Sequence, residues 1–354
     1  MAKTAIVFTP KYYAHDTGPR HPESPQRLKA IMKELKRLGW LSTSKSFALI
    51  EPKKARTGDL QLTHASEHIQ LVKRICRQGG GLLDLGDTVV SHESFDVACY
   101  AAGGAMKAVD LVMGGTFRNA FALVRPPGHH AGESYAAGFC VFNNVAIAAA
   151  HLIREYGLDR IMILDIDAHH GNGTQEIFYD TKKVLYLSLH EDPREFPGTG
   201  FIDETGRNEG LGYNVNIPFP FKTGDTVYLK AIDEIATPIA RQYDPQFVLM
   251  SVGYDGYYKD PVAKLNLSTS AFALVFKKIL DAASNLCEGK FAAVLEGGYT
   301  IKRLGALAAA TLSRMAGCPY NAEEEKPPTV PDATRRAEEV VAEVKDAHSA
   351  FWNL

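Results

Sequence analysis

The sequence predicts an α/β protein built on a mostly parallel central sheet. Short apolar runs recur along the chain without the polar alternation of a half-exposed strand, as expected when a sheet is covered on both faces. Segments with helical apolar spacing lie between those runs, the alternation that builds parallel sheets. Polar residues cluster immediately after the apolar runs, where open α/β sheets bind their ligands.

Taken in chain order, Thr4–Thr9 reads as the first strand. Ser24-Pro25 then offers an N-cap followed by proline at the first helical position, where the missing N–H costs nothing. Leu28, Ile31, Met32, Leu35 and Leu38 fall on one helical face, and Gly39 ends that helix. A helix over 94–113 leads into a strand at Ala120–Val124, and a helix over 143–156 into a strand at Arg160–Ile166. Further strands are expected at Val184–Leu189, Gln246–Val252 and Phe291–Leu295. Helices over 226–242 and 270–287 separate the last of these, with Gly289 closing the second. Residues 1–318 are read as one domain. The stretch 319–333, rich in Glu, Pro and Lys, reads as a surface linker, and Ala333–Trp352 as an amphipathic helix packing on the domain.

Composition narrows the function classes. The chain has 354 residues, 45% of them hydrophobic, enough for a large core. Its 39 basic and 41 acidic residues leave a net charge of −2, which argues against a non-specific nucleic-acid binder. The 5 cysteines form no C-x-x-C pair, so neither a disulfide framework nor a thiolate zinc site is expected. The apolar run at the N-terminus is too short for a signal peptide. The apolar segment 138–153 is broken by Asn143 and Asn144, so no membrane partner is expected and a cytoplasmic setting is. A homo-oligomer is left open.

The polar endings carry the chemistry. After Ala120–Val124 comes Arg125-Pro126-Pro127-Gly128-His129-His130; after Arg160–Ile166 comes Asp167-Ala168-His169-His170-Gly171-Asn172-Gly173. His190-Glu191, Gly253-Tyr254-Asp255 and Glu296-Gly297-Gly298-Tyr299 follow the last three strands. Residues two apart on a strand share a side, which would put Asp165, Asp167 and His169 together. Asp167, His169 and a third ligand from another strand end, Asp255, would leave a position open for water, the mark of a catalytic zinc. A D-x-H tripeptide alone is more often a polar loop than a metal site. The tandem His129-His130 suits acid–base work beside a metal, with Asp165 and Asn172 as partners. Gly171-Asn172-Gly173 invites a dinucleotide-loop reading, but Glu176 stands where the third glycine belongs. Neither a G-x-S-x-G elbow nor a P-loop occurs.

The segments RPPGHHA (125–131), GFCVFNN (138–144), DIDAHHGNGTQ (165–175), SLHE (188–191), FPGTG (196–200), NVNIP (214–218), GYD (253–255), DP (260–261) and LEGGY (295–299) resemble those of histone deacetylases and their prokaryotic relatives, in the same order. HPESPQRL (21–28) fits as well. The resemblance spans roughly 4–316 and implies an arginase-like three-layer α/β/α fold. It implies a zinc-dependent deacylase acting on acetyl-lysine or a related acylated amine. Asp167, His169 and Asp255 would hold Zn²⁺, with Fe²⁺ an alternative metal. His130 would be the general base and then the acid, His129 an electrostatic partner, and Tyr299 a donor to the substrate carbonyl. Asp165 would orient His129, and Asn172 would orient His130. Gly138, Phe139 and Phe196 would line an acyl-lysine tunnel with Asp87 at its rim, and Arg27 an interior acetate exit. K⁺ would be held by Asp165, Asp167, His169, Ser188 and Leu189, and a second K⁺ by Phe178, Thr181, Val184 and Tyr213.

The sequence also departs from parts of that family. Asn172 replaces the aspartate of one branch, as in class II and many prokaryotic members. Val262 stands where polyamine-selective relatives carry a glutamate, which leans against acetylpolyamine substrates, although these stay open. Glu195 and Lys264 read as ordinary surface charge near the rim. Two other readings differ in kind: a ureohydrolase, which the tandem histidines and GGY oppose, and a catalytically silent acyl-lysine-binding module, which the intact catalytic positions oppose.

Overall fold

The computed structural model describes residues 4–42, 45–322 and 326–354. In chain order its elements are β1 (Thr4–Val7), α1 (Gln26–Arg37), β2 (Phe47–Ile50), α2 (Thr57–Leu60), α3 (Ser66–Arg77), β3 (Gly80–Leu82), β4 (Val89–Ser91), α4 (Ser94–Met113), β5 (Asn119–Ala122), α5 (Asn144–Tyr156) and β6 (Ile161–Asp165). There follow α6 (Asn172–Phe178), β7 (Val184–Glu191), β8 (Asn214–Phe219), α7 (Asp225–Ala231), α8 (Thr237–Tyr243), β9 (Phe247–Val252), α9 (Thr269–Leu286), β10 (Phe291–Leu295), α10 (Ile301–Ala316) and α11 (Pro331–His348).

The central sheet has 8 strands in the order β2-β1-β5-β10-β9-β6-β7-β8. All its pairings are parallel. Every residue of β5, β6, β7, β9 and β10 is buried, which explains why their apolar residues do not alternate with exposed polar ones. Helices flank the sheet: α4 packs with α5, and α1 packs with α10, which packs in turn against α9. The result is a three-layer α/β/α sandwich. Among the described residues no helix is long and apolar enough to cross a membrane.

The helices over 94–113 and 143–156 lie where the apolar spacing puts them, and other elements differ for physical reasons. Pro25 takes the cap position of α1 rather than its first turn, and the Ser24 carbonyl accepts the Arg27 N–H at 3.1 Å. The helix expected over 226–242 is α7 and α8 joined by a wide π turn at Ile232–Ala236. Pro238 sits in the first turn of α8, and a proline removes one rung of the helical ladder. Sequence patterning missed β8, because Asn214 and Asn216 interrupt it. Both are buried, and both donate to Gln175 Oε1 at 2.8 Å. Their Nδ2 groups are thus paired, while both Oδ1 atoms are buried without a hydrogen-bond partner. Short strands β2, β3 and β4 and the alanine-rich α10 also went unpredicted. At the C-terminus α11 lies against β8 and α7, and Trp352 beyond it donates its indole N–H to the Gly212 carbonyl at 2.8 Å. Residues 323–325 of the expected linker lie outside the described residues.

Candidate active site

Four neighbouring strands, β5, β10, β9 and β6, deliver their carboxyl ends to one place. The registers Asp165↔Ser251 and Leu295↔Val252 bring the segments after β6, β9 and β10 level with one another. Strand alternation stops at Asp165, the last residue of β6. Asp167 and His169 are gathered by bends beyond it, not by the pleat invoked from the sequence.

Each carboxylate there is tied from behind. Asp167 Oδ2 accepts the Gly297 N–H at 2.8 Å, and Asp255 Oδ1 accepts the Ala168 N–H at 2.9 Å. The remaining oxygens face His169 Nδ1: Asp167 Oδ1 at 3.3 Å and Asp255 Oδ2 at 3.2 Å. Donor atoms of the three residues lie within 4.8 Å of one another. Two glycines make this approach possible. A Cβ on Gly253 would stand 2.0 Å from Asp167 Oδ2. One on Gly297 would stand 2.5 Å from Asp255 Oδ2 and 2.6 Å from Asp167 Oδ2. Burial and the Asp167 charge push Asp255 up to about 7. Against its own burial, the charges of His129 and His169 hold Asp167 well below the usual carboxylate range. Two buried carboxylates crowded on one imidazole are a poor protein–protein arrangement and a good donor set for a divalent ion.

The tandem histidines part company electrostatically. His129 Nδ1 lies 3.0 Å from Asp165 Oδ2, and its Nε2 lies 3.7 Å from Asp167 Oδ1. Burial opposes its charge, yet Asp167 and Asp165 raise it to about 10, which favours the imidazolium. His130 Nδ1 meets Asn172 Oδ1 at 2.8 Å. Burial, then the charges of His129 and His169, hold His130 well below its ordinary value, so it is neutral. Opposed environments on adjacent titratable groups assign one as fixed charge and the other as base.

A cavity of about 320 Å³ opens onto these groups. Its walls include His130, His169, Gly138, Phe139, Phe196, Val262, Tyr299 and Asp87. Gly138 has φ +53°, and a Cβ there would strike His130 Cδ2 at 2.4 Å. Phe139 is held at φ 68°, a conformation costly for a bulky residue, with its N–H on Thr88 Oγ1 at 3.1 Å. Its ring meets Tyr299 edge-on at 5.8 Å. The turn carrying Tyr299 is pinned by Asp260 Oδ2, which accepts the N–H groups of Tyr299 and Thr300 at 2.7 and 2.9 Å. Arg27 lies under the Tyr299 ring at 5.0 Å and donates to the Gly298 carbonyl at 2.8 Å.

Several contributors carried no assigned role in the sequence reading. Glu191 and Asp192 join Glu195 in the cavity wall, and the Glu195 carboxylate pairs with Lys264. Glu296 accepts the N–H groups of Gly128 and His129 at 2.6 and 3.2 Å. Its other oxygen takes the Ser251 hydroxyl at 3.2 Å. Glu296 could also group with His129 and Cys140 around an ion, but its oxygens and His129 Nδ1 are already engaged by protein. The one local signal for Glu296 was a charged residue closing an apolar strand. The residues expected around potassium fall in two places along β7. Ser188 pairs in register with Asp165 and is followed by Leu189. Val184 begins the strand; the Phe178 carbonyl accepts the Thr181 N–H at 3.2 Å, and the Tyr213 carbonyl accepts the Tyr186 N–H at 3.0 Å.

Comparison with known proteins adds independent weight. Residues 21–315 match the family model described as histone deacetylase domain. A probable deacetylase of Archaeoglobus fulgidus is 39% identical over 360 residues, covering 99% of this chain and 98% of that protein. A probable deacetylase of Methanothermobacter thermautotrophicus is 37% identical, covering 99% of each. The crystal structure of the HDA15 HD domain superposes with a TM-score of 0.87 at 34% identity, over 99% of this chain and 95% of that one. With the family model over residues 21–315, the same fold and this degree of identity, the chain belongs to the histone deacetylase family.

Proposed function

We propose that this chain is a zinc-dependent deacylase that hydrolyses the amide of acetyl-lysine or a related acylated amine and releases acetate. The observation that supports it most is the meeting of Asp167, His169 and Asp255 with His130 and Tyr299 around one cavity. When bound by those three ligands, Zn²⁺ would polarise the acyl carbonyl and acidify water; Fe²⁺ suits the same donors.

The chain's own groups supply the rest. With Nδ1 engaged by Asn172, neutral His130 has Nε2 free to take a proton from the attacking water. The protonated ring then gives that proton to the leaving amine, which departs poorly as an anion. His129, charged between Asp165 and Asp167, steadies the negative charge that develops beside it. The Tyr299 hydroxyl donates to the carbonyl oxygen as it becomes an oxyanion, an effect worth about 3 kcal/mol for one such donor. Phe139 and Phe196 hold an apolar acyl-bearing stem between them and exclude water. Asp165, Asp167, His169, Ser188 and Leu189 would hold one K⁺, and Phe178, Thr181, Val184 and Tyr213 a second, bracing the segment after β6.

The acidic wall formed by Glu191, Asp192 and Asp87 favours a second reading, a small acylated amine that carries another positive charge. Zinc-loaded protein should release acetate from acetyl-lysine peptides or acetylpolyamines, lose turnover on zinc removal, and be inhibited by a hydroxamate. Full zinc occupancy with no acetate release from either class would overturn the proposal.

A further inference from the structure

Beyond Asn172 the contacts of His130 continue outward. Asn172 Nδ2 donates to the Tyr135 hydroxyl oxygen at 3.0 Å. Tyr135 is half-buried, and exposed Glu176, on α6, approaches it. The Glu176 carboxylate is anchored there by the Glu133 N–H, donated to Oε1 at 3.2 Å. Ring and carboxylate converge over Gly132: a Cβ on it would stand 2.5 Å from Tyr135 Cζ and 2.9 Å from Glu176 Oε1. Burial and the neighbouring Glu176 charge push the phenol's pKa up, so it keeps its proton.

We propose that Tyr135 and Glu176 are positioning residues that set which way the Asn172 amide points, and through it which ring nitrogen of His130 carries the proton. This rests on the reading of His130 as the base. An asparagine amide has nearly the same shape when flipped but opposite polarity. With its oxygen toward His130, it accepts from Nδ1–H and leaves the Nε2 lone pair free. Flipped, it would donate to Nδ1 and leave the proton on Nε2, where the ring cannot act as a base. A tyrosine hydroxyl alone would not choose, because it donates and accepts. A carboxylate only accepts, so Glu176, which meets the ring over Gly132, would draw the O–H toward itself and leave the Tyr135 lone pair for Asn172 Nδ2. An aspartate at 172 would need no such device, having acceptors on both sides.

The test compares the zinc-loaded full chain with Tyr135→Phe, Glu176→Gln, Asn172→Asp and the double variant Asn172→Asp/Tyr135→Phe. Tyr135→Phe should lower kcat about tenfold, as for one lost orienting hydrogen bond, with KM within about twofold. Glu176→Gln should fall between it and the parent. In the Asn172→Asp background, Tyr135→Phe should change kcat less than about twofold. Nitrogen NMR of histidine-labelled protein should show His130 as Nδ1–H in the parent and as a tautomer mixture in Tyr135→Phe. An unmixed Nδ1–H signal in Tyr135→Phe, or an equal loss of kcat in both backgrounds, refutes the inference. A parent protein that releases no acetate refutes the functional proposal instead, and the tautomer spectrum still decides this one.

Discussion

Substituting Gly297 by alanine isolates the metal-binding geometry from the fold. Gly297 lies outside the left-handed region, so alanine is allowed by the backbone. The new Cβ would stand 2.5 Å from Asp255 Oδ2 and 2.6 Å from Asp167 Oδ2. A carbon–oxygen contact relaxes to about 3.3 Å, so the two oxygens must retreat by roughly 0.7 Å between them and the backbone. Metal ligands tolerate errors of about 0.2 Å. Losses of about 10–100-fold in zinc affinity follow from disturbances of this kind, or about 1.4–2.8 kcal/mol. Zinc affinity would be read by chelator competition, and the melting temperature of the metal-free protein would report on the fold. Gly58→Ala is the control, because a Cβ there meets nothing within 4 Å. Zinc affinity within twofold of the parent in Gly297→Ala would show that the carboxylates do not form the site described.

Other expectations follow from the same geometry. His130→Ala should lower kcat by about 10²–10⁴-fold with little change in KM, measured by acetate release. Asn172→Asp should move the acidic limb of the pH–rate profile to higher pH, since a carboxylate on Nδ1–H favours the imidazolium; an unmoved limb would discredit the His130–Asn172 contact. His348 is fully buried with neither ring nitrogen partnered, and burial lowers it from 6.5 to about 4. The unfolded chain therefore takes up that proton first, so this contribution to stability is complete above 6.5 and is lost as pH falls from 6.5 to about 4. His348→Phe should reduce the loss of urea stability between pH 7 and pH 5 by on the order of 1–2 kcal/mol; an unchanged pH dependence would exclude His348 as its source.

The sequence by itself determined the elements whose signal is local. Both faces of β6 and β9 are covered, so Ile161–Leu164 and Phe247–Met250 are apolar and legible as strands. The polar residues that follow them, Asp167, His169 and Asp255, were legible as candidates because open α/β sheets bind their ligands beyond the carboxyl ends of the strands. Only the tertiary structure decided what those candidates do together. Asp255 reaches His169 because β9 lies beside β6, a pairing between segments far apart in the chain that no local pattern encodes. The buried Nδ2 groups of the β8 asparagines find their acceptor in Gln175 on α6, and the left-handed Phe139 is held by the Thr88 hydroxyl. Nor does any motif mark Tyr135 or Glu176; their relation to Asn172 is a matter of orientation across three segments. Strand and helix identity follows from solvent exposure along a few residues, whereas donor distances depend on the neighbour order and register of the whole sheet.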